Sequence, residues 1–240
     1  MKKVIVVAIL LSIVLTAPLV LRAGGFEKAV NLYEQGVRTY DLKTLENALH
    51  IIRRLRGKKE YMHHLGEGLI LQRLQFVQYV AGNTNKVKEY GRQAERALMR
   101  AEKSNPDSIE PVIYRGLVYL FMARGKGKDC LMYGAQSKRI ATVCLKAYPD
   151  HLLARILDGA VRLELPRALG GDINKAVSVF VALRMEYPQS EDVRVLLGKA
   201  YAQAGRFEEA FGTLESVLKR NPDNRLAQLL LSDILTRKMQ

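Results

Sequence analysis

Between Leu197 and Asn224 the chain reads LGKAYAQAGRFEEAFGTLESVLKRNPDN, in which two helix-length segments flank a short polar break. Gly205 supplies a turn, and Glu208 and Glu209 fall in the first turn of the second segment, where acidic side chains complement the helix dipole. Leu214 and Val217 continue an apolar stripe at helical spacing, and Pro222 cannot prolong a helix. The pattern predicts two antiparallel helices. In such a pair Gly198 allows close approach, Tyr201 fills the space beside it, and Ala210 is small where the helices cross.

The same residue types return upstream. Moving back 34 residues brings Pro222 onto Pro188, Leu214 onto Phe180, Ala210 onto Ala176 and Val217 onto Leu183. A further 39 residues reach Pro149, Ala141, Ser137 and Cys144, and carry Gly198 to Gly159. Another 43 reach Pro106, Leu98, Ala94 and Ala101, with Gly116 and Tyr119 in the positions of Gly198 and Tyr201. A period near 34 with loop insertions is the spacing of a helix–turn–helix solenoid. Upstream of Gly82 the segments FEKAVNLYEQGVRTYDLKTLENALHIIRRL and YMHHLGEGLILQRLQFVQYV read as long helices without clean repeat columns.

These residues resemble the tetratricopeptide repeat family, in which helix pairs stack into a right-handed superhelix whose concave face is lined by the first helices. The resemblance implies an all-α fold of about five helix pairs with a C-terminal capping helix. It divides the chain into an N-terminal segment over 1–24, divergent helical repeats over 25–108, tetratricopeptide-like repeats over 109–224 and a cap over 225–240. A looser resemblance concerns LPRALGGDINKAVSVF, Leu165 to Phe180. It is similar to an inserted loop of periplasmic repeat proteins associated with tripartite ATP-independent transporters, which implies handling of a small molecule or lipid. Those proteins usually carry a lipidated cysteine after their signal, and this chain has none there.

Composition narrows the reading. Only 7% of residues are aromatic and none is Trp, while Leu, Ala, Lys, Arg and Glu are abundant, which favours helix over sheet. The formal charge of +14 attracts nucleic acid, anionic lipid or acidic protein alike. The N-terminus points toward membranes: Lys2 and Lys3 precede an uncharged run from Val4 to Leu21, which reads as an uncleaved anchor or an export signal. The expectation is a membrane-associated protein with a single N-terminal span and its body outside the cytoplasm, in the periplasm. Export and the lack of aromatics interleaved with cations weigh against nucleic acid.

Little suggests catalysis, a metal or another cofactor. His63 and His64 are adjacent, about 100° apart on a helix, and are read as exposed or half-packed. Cys130 and Cys144, if on one helix, stand about 21 Å apart and are expected to be free packed thiols. The densest cationic run holds Arg53, Arg54, Arg56, Lys58 and Lys59, which either complement a helix C-terminus or meet an anionic membrane surface.

The segment IEPVIYRGLVYLFMAR, Ile109 to Arg124, is apolar on every side. In the repeat geometry one side meets its partner helix and another the neighbouring pair, leaving Ile113, Leu117, Leu120 and Phe121 toward the concave face. Ile156, Ala160 and Leu163 follow one unit on. Together they form a candidate groove for an apolar peptide, an acyl chain or a partner helix, unless the helix over 61–80 folds into the concavity and makes them core. The residues lack the Lys and Asn array with which the family clamps a terminal carboxylate. The function that follows is a non-enzymatic, membrane-anchored scaffold or assembly factor of the cell envelope that binds another protein; the alternative is a periplasmic small-molecule or lipid-binding component of a transport system.

Overall fold

The computed structural model describes residues 26–55, 60–123 and 127–238. Eleven α-helices make up these residues, with no strand among them: α1 (Glu27–Thr39), α2 (Leu42–Arg54), α3 (Glu60–Val80), α4 (Thr84–Ser104), α5 (Glu110–Met122), α6 (Lys128–Ala147), α7 (Leu152–Glu164), α8 (Ile173–Glu186), α9 (Glu191–Gln203), α10 (Phe207–Leu218) and α11 (Arg225–Lys238). A short 3₁₀ turn, Arg167–Leu169, lies between α7 and α8.

Local sequence sets the boundaries. Asp41, Asn83, Asp172 and Ser190 each accept a backbone N–H in the first turn of the helix that follows, satisfying donors the helix itself leaves unpaired. Gly82 and Gly205 adopt positive φ in the turns between paired helices. Directly before α11, Asn224 accepts from Ala227 N and so starts the cap.

The helices pair in order, α1 with α2 through α9 with α10, and α11 covers the last pair. First helices also meet one another along the array, α3 with α5, α5 with α7, and α7 with α9. This is the expected stack of five pairs and a cap. Three of the repeat columns read from the sequence are interior: Ala94, Ser137, Ala176 and Ala210 are buried, as are Leu98, Ala141, Phe180 and Leu214, and Ala101, Cys144, Leu183 and Val217, while the closing Pro106, Pro149, Pro188 and Pro222 are exposed. Ser137 stands in a column otherwise held by alanine, and its hydroxyl donates to Gly116 O at 2.8 Å. Gln75 likewise reaches from α3 and donates to Val118 O at 3.0 Å.

The expected location is corrected. Among the described residues no helix is long and apolar enough to cross a membrane. The 21-residue α3 has the length, but Glu60, Glu67 and Arg73 and the glutamines 72, 75 and 78 interrupt it, and α4 is more polar still. The run Val4–Leu21, to which the single span had been assigned, lies outside the described residues. Cys130 and Cys144 are free, buried and both on α6.

Candidate functional site

The concave face is built where α3, α5, α7 and α9 lie side by side, and α3 does most to shape it. Fourteen of its residues are buried, because it packs on α4 and on α5 at once. This determines where the candidate groove residues fall. Ile113, Leu120, Ile156, Ala160 and Leu163 are buried, whereas Leu117 and Phe121 keep partial exposure. Leu120 and Leu163 still line a cleft of about 730 Å³, together with Tyr79, Cys130, Glu164 and Gln203.

Phe121 belongs to an aromatic shelf. Its ring lies 5.1 Å from those of both Phe76 and Tyr79, centroid to centroid, and Phe76 lies 6.0 Å from Tyr40. Such offset and tilted pairs satisfy the ring quadrupoles while leaving edges accessible. Tyr40 reaches the shelf from the α1–α2 turn, where it holds a left-handed backbone at φ 54°, a conformation that costs a non-glycine residue free energy. Arg73 stacks over Phe76 with its guanidinium carbon 5.5 Å from the ring centre and hydrogen-bonds Tyr33.

The shelf is bounded by polar groups. Tyr79 Oη donates to Glu164 Oε2 at 3.0 Å, and Lys199 pairs with the other oxygen of Glu164 while its Nζ stands 5.8 Å from the Tyr79 ring centre. Three first helices, α3, α7 and α9, are thereby joined across the face. Asp192, at the start of α9, is half-buried; burial pushes its carboxyl up to about 6, with Arg73 opposing and Glu191 adding to the shift. Burial also raises the hydroxyl pKa of Tyr33, Tyr40 and Tyr114, so all three remain neutral donors at ordinary pH.

Of the cationic candidates, Arg54 is exposed on the last turn of α2, while Arg53 is engaged: its Nε donates to Glu67 Oε1 at 2.8 Å and its Nη2 to Gln93 at 3.0 Å. Arg56, Lys58 and Lys59 lie outside the described residues. Glu67 accepts a second guanidinium, from Arg100 at 3.1 Å, and His63 and His64 stand beside it. The sequence reading missed that grouping, although its signal was there: in HHLGE the carboxylate is three and four residues beyond the two imidazoles, one turn along the same face.

Known proteins agree with this architecture. Residues 169–234 match the family model described as Tetratricopeptide repeat. No curated protein matches the sequence. Among solved structures, a thermophilic TPR protein of Thermus thermophilus is similar at 18% identity, with 87% of this chain and 99% of that chain covered and a TM-score of 0.58. At that identity the likeness shows the fold. Residues 169–234 are thus tetratricopeptide repeats, and the described chain as a whole has the fold of a TPR protein. Neither match shows the resemblance of Leu165 to Phe180 to transporter-associated proteins.

Proposed function

We infer that the protein is a non-enzymatic scaffold that holds an apolar or aromatic segment of another protein on its concave face. The observation that carries this reading is the shelf of Phe76, Tyr79 and Phe121, whose rings pack on one another yet stay partly exposed beside a cleft of about 730 Å³. Aromatic side chains with few rotatable bonds, set in a concavity and ringed by polar groups, are the usual anchors of a protein interface. Glu164 and Lys199 neutralise one another as an ion pair at the edge of the shelf, an arrangement that supplies hydrogen bonds and orientation.

A photo-crosslinking residue placed at Gln203, which lines the cleft, tests the reading. One protein should be captured by it, and the capture should disappear with Phe121→Ser yet survive Val143→Ser on the exposed side of α6. Capture that ignores Phe121, or an extractable acyl compound occupying the cleft in place of a protein, overturns it.

A further inference from the structure

We propose that the seam between α2, α3 and α4 binds a zinc-class divalent transition metal, with His63, His64 and Glu67 as its protein ligands and a fourth position open to solvent. One ligand atom from each residue lies within 4.8 Å of the others. The two imidazoles meet through Nδ1 at 3.4 Å, their rings edge to face with centroids 5.1 Å apart. Two nitrogens bound to a tetrahedral zinc ion at about 2.0 to 2.1 Å are themselves about 3.4 Å apart. The pair is therefore already at ligand spacing; binding exchanges the contact between the two Nδ1 atoms for a shared ion, with each ring carrying its proton on Nε2.

The carboxylate is positioned from outside. Arg53 Nε donates to one oxygen of Glu67 and Arg100 Nη2 to the other, so the group is fixed while each oxygen keeps a lone pair. Outer partners of this kind orient ligands in metal sites. Two guanidinium groups also repel a cation and draw charge from the carboxylate, so affinity is expected to fall below that of a closed structural zinc site. They favour an anionic fourth ligand instead. The ligand set opens on a cleft of about 690 Å³ that Gln93 and Arg96 also line, which leaves room for one. Two nitrogen donors suit zinc, cobalt, nickel or copper, and not calcium or magnesium, which take oxygen. The site stands apart from the concave shelf and does not depend on the scaffold reading.

The untagged full chain, stripped with a chelator and titrated with CoCl2, provides the test. The expected result is a set of visible ligand-field bands of four-coordinate Co2+ that saturates at one ion per chain and is displaced by ZnCl2. His64→Gln and, separately, Glu67→Gln should lose the bands while keeping wild-type helicity. ZnCl2 should raise the melting temperature of the wild type and leave that of either variant unchanged. Absence of the bands in the wild type overturns the proposal. So does an unaltered titration in whichever variant folds, or a thiolate charge-transfer band that vanishes with Cys130→Ser and Cys144→Ser.

Discussion

A methyl group built on Gly68 would stand 2.6 Å from Cδ2 of Leu98 and 2.7 Å from its Cγ, and one built on Gly198 would meet Leu214 at 2.6 and 2.7 Å. The same glycine-to-leucine contact thus joins α3 to α4 near one end of the array and α9 to α10 near the other. Gly36 against Leu45 repeats it in the first pair, and in the fourth Gly159 meets the ring of Phe180 at 2.8 Å in the same column. The central pair departs: its column holds Ala141, and Leu157 from the following pair fills the space over Gly116. One packing device therefore sets the distance between helices in repeats whose sequences have otherwise diverged.

Gly198→Ala and Gly68→Ala should each destabilise the protein by about 1 to 3 kcal/mol. Helix propensity alone favours alanine by about 1 kcal/mol, but the contact is with the branch point of a buried leucine, which cannot swing aside, and overpacking of this kind costs more. Thermal melts followed by circular dichroism should show lower midpoints. A higher midpoint would mean that the helices separate freely.

Ala210→Glu should cost several kcal/mol, since Ala210 is fully buried between α9 and α10 and offers no partner for a carboxylate. Repeat arrays couple mainly to their neighbours. Limited proteolysis should therefore open α9 to α11 before α1 to α4, and uniform cleavage along the chain would contradict this.

Asp192 gives stability a distinctive pH dependence. Its folded value of about 6 lies above the ordinary 3.8, so the native state holds this proton more tightly than the unfolded chain. The contribution is present in full below the unfolded value and is lost as pH rises through about 6, a change on the order of 2 kcal/mol. Comparing urea midpoints of the wild type with Asp192→Asn between pH 4 and 7 isolates it from the other carboxylates. The variant should gain on the wild type as pH rises, and parallel curves would place Asp192 in water.

Why some of this was legible and some was not follows from lengths and from lateral neighbours. The repeat columns from Ala94 to Val217 were readable because each second helix presents its small and large residues at fixed intervals from a closing proline. Of the second pair only the first helix, α3, escaped, because α3 and α4 are 21 residues long against 13 for several of the others, which puts Gly68 and Gly116 48 positions apart, beyond the steps of 34 to 43 that join the other columns. The burial of Ile113 and Leu120 was open for another reason. A helix apolar on every side predicts that something covers it, but only the lateral packing of α3 on α5 shows how much. The His63, His64 and Glu67 grouping needed α2 and α4 as well, because Arg53 and Arg100 hold the carboxylate from those helices.

The groove prediction rests on the same division between covered and partly open residues of α5. Ile113 is fully buried, so Ile113→Ser should remove several kcal/mol and lower the melting temperature sharply. Leu117 and Phe121 lie on the same helix with one side partly open, and Phe121 keeps Phe76 and Tyr79 as neighbours. The double change Leu117→Ser and Phe121→Ser should therefore retain helicity and a cooperative melt, with a smaller loss of stability, while capture of the bound protein through Gln203 disappears. Two measurements on one preparation, a melt and a crosslinking yield, separate the outcomes. Collapse of the fold in the double variant would make the shelf part of the core. A full crosslinking yield in a folded double variant would place the partner elsewhere on the array.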